Sequence, residues 1–506
     1  MPHATTPGSS PPIEDTVMSE APIADANDAA NDTTGTVEDQ EDDVSAVQPP
    51  AKTSLEDMFD DDDEEDGEFS SSAQTRTADS SQEAKPTSNS SSKATDPEVM
   101  RVFYQRLFPF RYLFQWLNHS PTPTTDFSNR EFAFVLPNDA YIRYQSFVSA
   151  DQLRKQCVQL TPTRFEIGPE YSTNPRDRKT LRKASAFRPV AKELVFDIDM
   201  TDYDEIRTCC SGASICQKCW TFITMAIKVV DAALREDFGF KHILWVYSGR
   251  RGAHAWISDK RARQMDDQKR KSIAGYLELL RGGDKGGKKV NVKRPLHPHL
   301  ERSLNILNPH FQADVLIDQD PWAEPAKSER LLQLLGDKTL TAALQKKWDA
   351  SPHRSSAQKW SDIDTLASAG SLSTLTPKTL VEVKQDIRLE YTYPRLDAEV
   401  SKKLNHLLKS PFVVHPGTGR VCVPIDVRRV EDFEPESVPT IQQLLKEIDA
   451  YEGDGREDEA GEKMQDWEKT SLKPYVEYFR THVNTLMKDE MGAKRARAEE
   501  GESMDF

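Results

Sequence analysis

Long apolar runs are missing from this 506-residue sequence, and none approaches the roughly 20 residues that span a bilayer. The opening residues MPHATTPGSS lack the apolar segment of a signal peptide, so a soluble, intracellular protein without a membrane role is expected. Hydrophobic residues are scarce overall, at 37%, which predicts that part of the chain does not fold. Two familiar nucleotide loops, G-x-x-x-x-G-K-[ST] and G-x-G-x-x-G, are absent from any convincing context. Cysteine is limited to six residues, four of them between Cys209 and Cys219. In a chain this large that clustering points to a metal site and away from a disulfide framework.

What is present is unevenly distributed. Residues 1–95 carry 23 Asp and Glu against four Lys and Arg, culminating in DMFDDDDEEDGEF, and cannot bury enough apolar surface to offset chain entropy. They are expected to form a disordered acidic tail. Residues 96–450 hold 53 Lys and Arg against 45 Asp and Glu, so the body is mildly basic although the formal net charge of the whole is −17. From Pro97 the periodicity predicts helix, a hairpin around PND, the strand ELVFDIDM, the cysteine cluster, a helix from Trp220, and strand-turn-strand in ILWVYSGRRGAHAWISD. Helical character then runs from about Arg261 to Glu390, interrupted by the loop RGGDKGGKK and a Ser-rich stretch near Leu366–Thr374. Strand character is expected to return within 391–450. The reading is one α/β domain, 97–260 and 391–450, with a helical insertion at 261–390. Residues 451–506 read as a charged linker, a helix and a polar tail containing KRAR.

Asp197 and Asp199 interrupt an otherwise apolar strand. Positions i and i+2 share a face about 7 Å apart, so two carboxylates there repel and lose hydration unless a cation compensates. Mg²⁺ or Mn²⁺, which favour carboxylate oxygen, fits that demand. Asp202 and Asp204, beyond the strand, read as solvated. A third ligand is needed to hold two ions. DVLIDQDP offers Asp314, Asp318 and Asp320 and PRLD offers Asp397, with location favouring Asp397.

SGRRGAH, between two apolar strands, compresses Ser248, Arg250, Arg251 and His254 around two glycines that permit close approach of a ligand, a pattern suited to a triphosphate. LLKSPFVVHPGTGR sets Lys409 and His415 on either side of a short apolar strand. CCSGASICQKCW allows Cys209, Cys210, Cys216 and Cys219 to close a tetrahedral thiolate site, as structural Zn²⁺ requires. Cys157 and Cys422 read as small apolar residues.

In this order, FDIDMTDYD, the cysteine cluster, SGRRGAH, PRLD and LLKSPFVVHPGTGR resemble the small, catalytic subunit of eukaryotic and archaeal-type DNA primase, the eukaryotic form most of all. The resemblance implies a primase fold, a mixed α/β catalytic core with a small helical subdomain. It implies Asp197, Asp199 and Asp397 as catalytic metal ligands for two Mg²⁺ or Mn²⁺ ions. It adds Arg143 to Ser248, Arg250, Arg251, His254, Lys409 and His415 around the NTP, with Glu131 and Lys183 assisting. It implies de novo RNA primer synthesis on single-stranded DNA in the nucleus, beside a large iron-sulfur primase subunit and DNA polymerase α. The acidic tail departs from the family's compact start. Two other classes stand beside this one: a template-independent nucleotidyltransferase, and a non-catalytic zinc-bearing nucleic-acid-binding module, which would leave the Asp197–Asp199 pair without purpose.

Overall fold

The computed structural model describes residues 95–280, 289–290, 292–369, 373–453 and 464–503. The acidic tail falls outside them except for its last residue, as do most of RGGDKGGKK and much of the charged linker. Two antiparallel sheets organise the fold. In the first, β1 (Arg130–Val135) pairs with β2 (Tyr141–Gln145) and β3 (Arg164–Tyr171), and β3 also pairs with β4 (Pro189–Ala191). The second has the order β5 (Leu194–Asp199), β7 (Gly252–Ile257), β6 (Ile243–Tyr247), β9 (Pro424–Ile425). The two-residue strand β8 (Leu408–Lys409) adds to β3, with Glu166 opposite Lys409.

The second sheet is buried on both faces, which explains its nearly continuous apolar strands. On one face Leu194, Phe196 and Ile198 lie beside Ala255 and Trp245, and the Trp245 indole donates to Asp231 of the helix Gln217–Glu236 at 3.1 Å. On the other face Val195 opposes Trp256, whose ring meets Trp116 edge-on at 5.3 Å. Trp116, in the helix Phe110–Asn118, also packs against Phe479 of the helix Lys473–Ser503. Alternation therefore puts Asp197 and Asp199 on the Trp256 face, beyond the part that the indoles cover.

Among the described residues, six helices of more than ten residues lie between Asp267 and Thr392. The first, Asp267–Leu277, docks on the sheet layer through buried Arg270, which donates to the carbonyls of Lys192 (2.5 Å) and Glu193 (3.2 Å). The expected return of strand character is mostly not realised. LEYT continues the helix Pro377–Thr392, Ala398–Lys402 is helical, and only β8 and β9 qualify as strands. The apolar run Pro411–Val414 is not a strand: it turns at Phe412 (φ 65°) and meets Val421 through a single bridge. Its burial, not sheet pairing, accounts for the apolar pattern, since Phe412, Val413 and Val414 are fully buried.

Candidate active site and thiolate cluster

At the exposed end of β5, Asp197 pairs in register with His254 and Asp199 with Gly252. Gly252 is required there, because a Cβ would stand 2.3 Å from the Ile198 carbonyl oxygen. Asp397 caps the helix Ala398–Lys402 and forms a bridge to β5, its amide donating to the Asp197 carbonyl at 3.1 Å. The three aspartates therefore meet through backbone pairing. Burial, reinforced by Asp199 and Asp397, pushes the Asp197 carboxyl up to about 7. A divalent cation answers this repulsion, so the donor set fits one. The other acidic cluster is spent structurally: Asp314 pairs with His310 at 2.6 Å, Asp320 accepts the Ser356 amide at 2.6 Å, and exposed Asp318 lies 3.7 Å from Lys218. Asp318→Asn should leave nucleotide incorporation unchanged in steady-state assays.

SGRRGAH forms the tight β6–β7 connection. Ser248 exchanges hydrogen bonds with Gly252, its amide donating to the Gly252 carbonyl (2.9 Å) and its Oγ accepting the Gly252 amide (3.0 Å). Gly249 adopts φ 89°, and a Cβ there would meet the His415 Cβ at 2.5 Å, so this turn packs directly on HPGTGR. Thr418 Oγ1 donates to the Gly249 carbonyl at 2.6 Å. Lys409 reaches across from the first sheet and donates to the Ser248 carbonyl at 3.3 Å, which places the site at the junction of the two sheets. Desolvation of the half-buried His415, together with Lys409, Arg250, Arg164 and Arg251 around it, holds it down at about 3. Its Nδ1 accepts the Gly417 amide at 3.1 Å, leaving the Nε2–H to donate to a ligand. His254 stands 3.4 Å from Asp197 and is likewise held neutral, at about 3, by burial and Lys409.

Not every expected residue has the expected surroundings. Arg251 does not stand free for a phosphate: its Nε donates to both Asp199 oxygens, at 2.8 and 2.9 Å. Asp199 also accepts from the Thr201 amide (2.8 Å) and hydroxyl (2.7 Å). Arg143 donates to buried Glu131 at 3.0 Å, while Lys183 is exposed in a separate loop. Asp204 is not merely solvated, since it accepts from Arg207 (2.5 Å) and the Gly212 amide (3.0 Å). Residue spacing missed three neighbours. Arg164 and Glu166 on β3 lie 3.3 Å apart beside Lys409, and Arg395, two residues before Asp397, donates to the Asp202 carbonyl at 2.7 Å. The arginine in PRLD was a visible signal; Arg164 and Glu166 enter only through the pairing of β3 with β8.

Arg207 organises the cysteine loop, donating to the carbonyls of Ser214 and Gly212, each at 2.9 Å, and to the Cys219 sulfur at 3.8 Å. Among the described residues, Cys209, Cys210, Cys216 and Cys219 are the only such group whose ligand atoms all lie within 4.8 Å of one another. The Cys216–Cys219 sulfur separation of 3.9 Å matches the edge of about 3.8 Å in a tetrahedron with 2.3 Å metal–sulfur bonds. The Cys216 amide (3.2 Å) and Gln319 Nε2 (3.4 Å, to Cys209) donate to these sulfurs, as thiolates require. Cys219→Ser should therefore bring any bound metal close to zero by elemental analysis and lower the Tm, because a metal held by these four sulfurs would contribute to folding.

The family described as "DNA primase small subunit" has a model that matches residues 196–427. A protein of that name from Schizosaccharomyces pombe is 56% identical over 79% of this chain and 92% of its own length. The Saccharomyces cerevisiae relative is 45% identical over 80% of this chain and 97% of its own. The Drosophila melanogaster relative is 39% identical over 79% and 94%.

Proposed function

Because this chain belongs to the DNA primase small-subunit family, and so is a nucleotidyltransferase that makes RNA primers for DNA replication, we propose that its chemistry runs on two Mg²⁺ or Mn²⁺ ions held by Asp197, Asp199 and Asp397. Family membership sets aside the two alternative classes, template-independent transfer and non-catalytic binding. The observation that carries the metal reading is the pair of carboxylates on one face of β5 with Asp397 bridged to it, a concentration of charge that the Arg251–Asp199 pair offsets only in part.

When bound, the two cations supply the Lewis acidity that readies a ribonucleotide 3′-hydroxyl for in-line attack on the α-phosphate of an NTP and that neutralises the departing pyrophosphate. The chain's own residues position the reactants. Lys409, Arg250 and the His415 Nε2–H converge where a triphosphate would lie, and Ser248 and Gly249 bring the turn close to it. Arg143, held by Glu131, borders the first sheet's side. Arg251, whose Nε is held by Asp199, would offer its remaining N–H groups to the nucleotide. His254, neutral and buried against Asp197, steadies that carboxylate. Cys209, Cys210, Cys216 and Cys219 would hold a structural Zn²⁺. Starting a chain requires two nucleotides to be held without a primer, so proximity supplies much of the rate. A large iron-sulfur subunit and DNA polymerase α are the partners that fit this task, and the nucleus is the compartment.

Lys409 and Arg251 separate holding from chemistry. Lys409→Ala should raise the NTP KM by about 10- to 150-fold, the worth of one charge-assisted contact, with a smaller effect on kcat. Arg251→Ala should change both, because Asp199 loses its partner as well. Saturation kinetics on a primed template check this, and a Lys409→Ala protein with the parent's KM contradicts it. The reading as a whole is tested by de novo synthesis from labelled NTPs on single-stranded DNA with Mg²⁺ or Mn²⁺. Product that ignores template sequence would overturn it.

A further inference from the structure

Residues 174–188, NPRDRKTLRKASAFR, carry six cations (Arg176, Arg178, Lys179, Arg182, Lys183 and Arg188) against the single acid Asp177. Two exposed arginines elsewhere on the surface find carboxylates, Arg428 with Asp426 at 2.7 Å and Arg429 with Asp432 at 3.0 Å. Here, among the described residues, Arg176, Lys179, Arg182, Lys183 and Arg188 form no ion pair.

The loop is nonetheless pinned at both ends. Asn174 accepts from the Ser146 hydroxyl (2.6 Å) and the Arg176 amide (2.9 Å), and donates to the Ser128 carbonyl (3.2 Å). At the far end the Ser172 amide donates to the Arg188 carbonyl at 2.9 Å, and Phe187 stacks on Tyr171 with centroids 4.1 Å apart. Between them Arg176 lies over the Phe147 ring at 4.9 Å and Arg178 over Tyr144 at 4.0 Å. Arg143 lies over that same Tyr144 ring at 4.8 Å, so the loop is tied directly to a residue of the proposed nucleotide site. Tyr144 holds φ 59°, a strained conformation for a tyrosine, in making this junction.

Like charges fixed on a rigid frame repel, and a polyanion relieves them. The nearby rings already carry arginines, so contact through phosphates fits this surface better than stacking of bases. We infer that the loop 174–188 grips the backbone phosphates of the single-stranded DNA template and leads it past Arg143 to the carboxylates. The identity of the strand rests on the primase reading above. Binding through phosphates is independent of base sequence and depends steeply on salt.

The test uses the full chain, with Lys179, Arg182 and Arg188, all exposed, replaced together by Ala. Anisotropy of a fluorescein-labelled oligothymidylate is followed without NTP or divalent metal, so the outcome stands apart from whether the chain makes primers. Losing three phosphate contacts should reduce the slope of log K against log[salt] by about 2, so that between about 50 and 200 mM NaCl the parent loses roughly 18-fold more affinity than the variant. The same difference should appear with an oligonucleotide of mixed sequence, and the NTP KM at saturating template should be unchanged. An unchanged slope overturns the inference, and so does a raised NTP KM with no change in slope, which would give the loop to the nucleotide.

Discussion

Replacing Asp197 with Asn should abolish primer synthesis while leaving the protein folded. Asp197 stands beside Asp199 and Asp397 on a face shared with buried His254, and the carboxylate is the group through which a cation would be held between them. Loss of one ligand from a site that stabilises transition-state charge costs roughly 4 kcal/mol or more, about a 10³-fold fall in kcat or greater. Stability should move the other way. Burial and the neighbouring carboxylates raise the folded carboxyl to about 7, above its value in an unfolded chain. Its contribution to stability is therefore present at acid pH and lost as pH rises through about 7. Without divalent ions at slightly alkaline pH, Asp197→Asn should melt no lower than the parent. A variant that melts far below the parent would mean that the lost activity reports misfolding.

The second large effect concerns stability alone. Arg130 and Glu193, both fully buried, form an ion pair at 2.8 Å that joins β1 to the start of β5. Burial alone would raise the Glu193 carboxyl, but the Arg130 charge and the nearby His119 outweigh it and hold it well below the usual range. Removing one partner leaves a buried charge uncompensated, so Arg130→Met should cost about 3–5 kcal/mol, lowering the Tm by about 4–6 °C for a fold this size. Arg130→Met with Glu193→Leu should recover most of the loss. For a carboxyl depressed on folding, stability is present above the unfolded value near 4.3 and is lost as pH falls below it. Glu193→Leu in that pair should flatten the acid limb of the stability–pH curve, as thermal melts from neutral pH downward would reveal.

Much of the site was legible because its chemistry lies in local patterns. The alternation in FDID places two carboxylates on one face whatever the remaining fold does, and the glycines of SGRRGAH announce a turn under close approach. The Cys216–Cys219 knuckle is readable for the same reason. What spacing could not supply was long-range pairing. Asp397 won over Asp318 by location and resemblance, and its bridge to Asp197 is a contact across 200 positions. The strand expected around PFVV failed because apolarity records burial, and irregular backbone can be buried when single bridges satisfy it. Arg251 was read as a phosphate fork from its neighbours in sequence, whereas its partner Asp199 lies across the β5–β7 pairing. The cations of 174–188 were visible as composition, but their meaning depends on the loop's junction with Tyr144 and Arg143, which sequence spacing does not show.

The central claim is that three aspartates seat the divalent ions of primer synthesis, and Mn²⁺ binding followed by electron paramagnetic resonance tests it most directly. With a non-hydrolysable NTP analogue present, the full chain should bind two Mn²⁺ ions, while Asp197→Asn and Asp397→Asn should each bind fewer and Asp318→Asn should match the parent. Equal Mn²⁺ binding by the parent and Asp197→Asn, or loss on Asp318→Asn, would contradict the account.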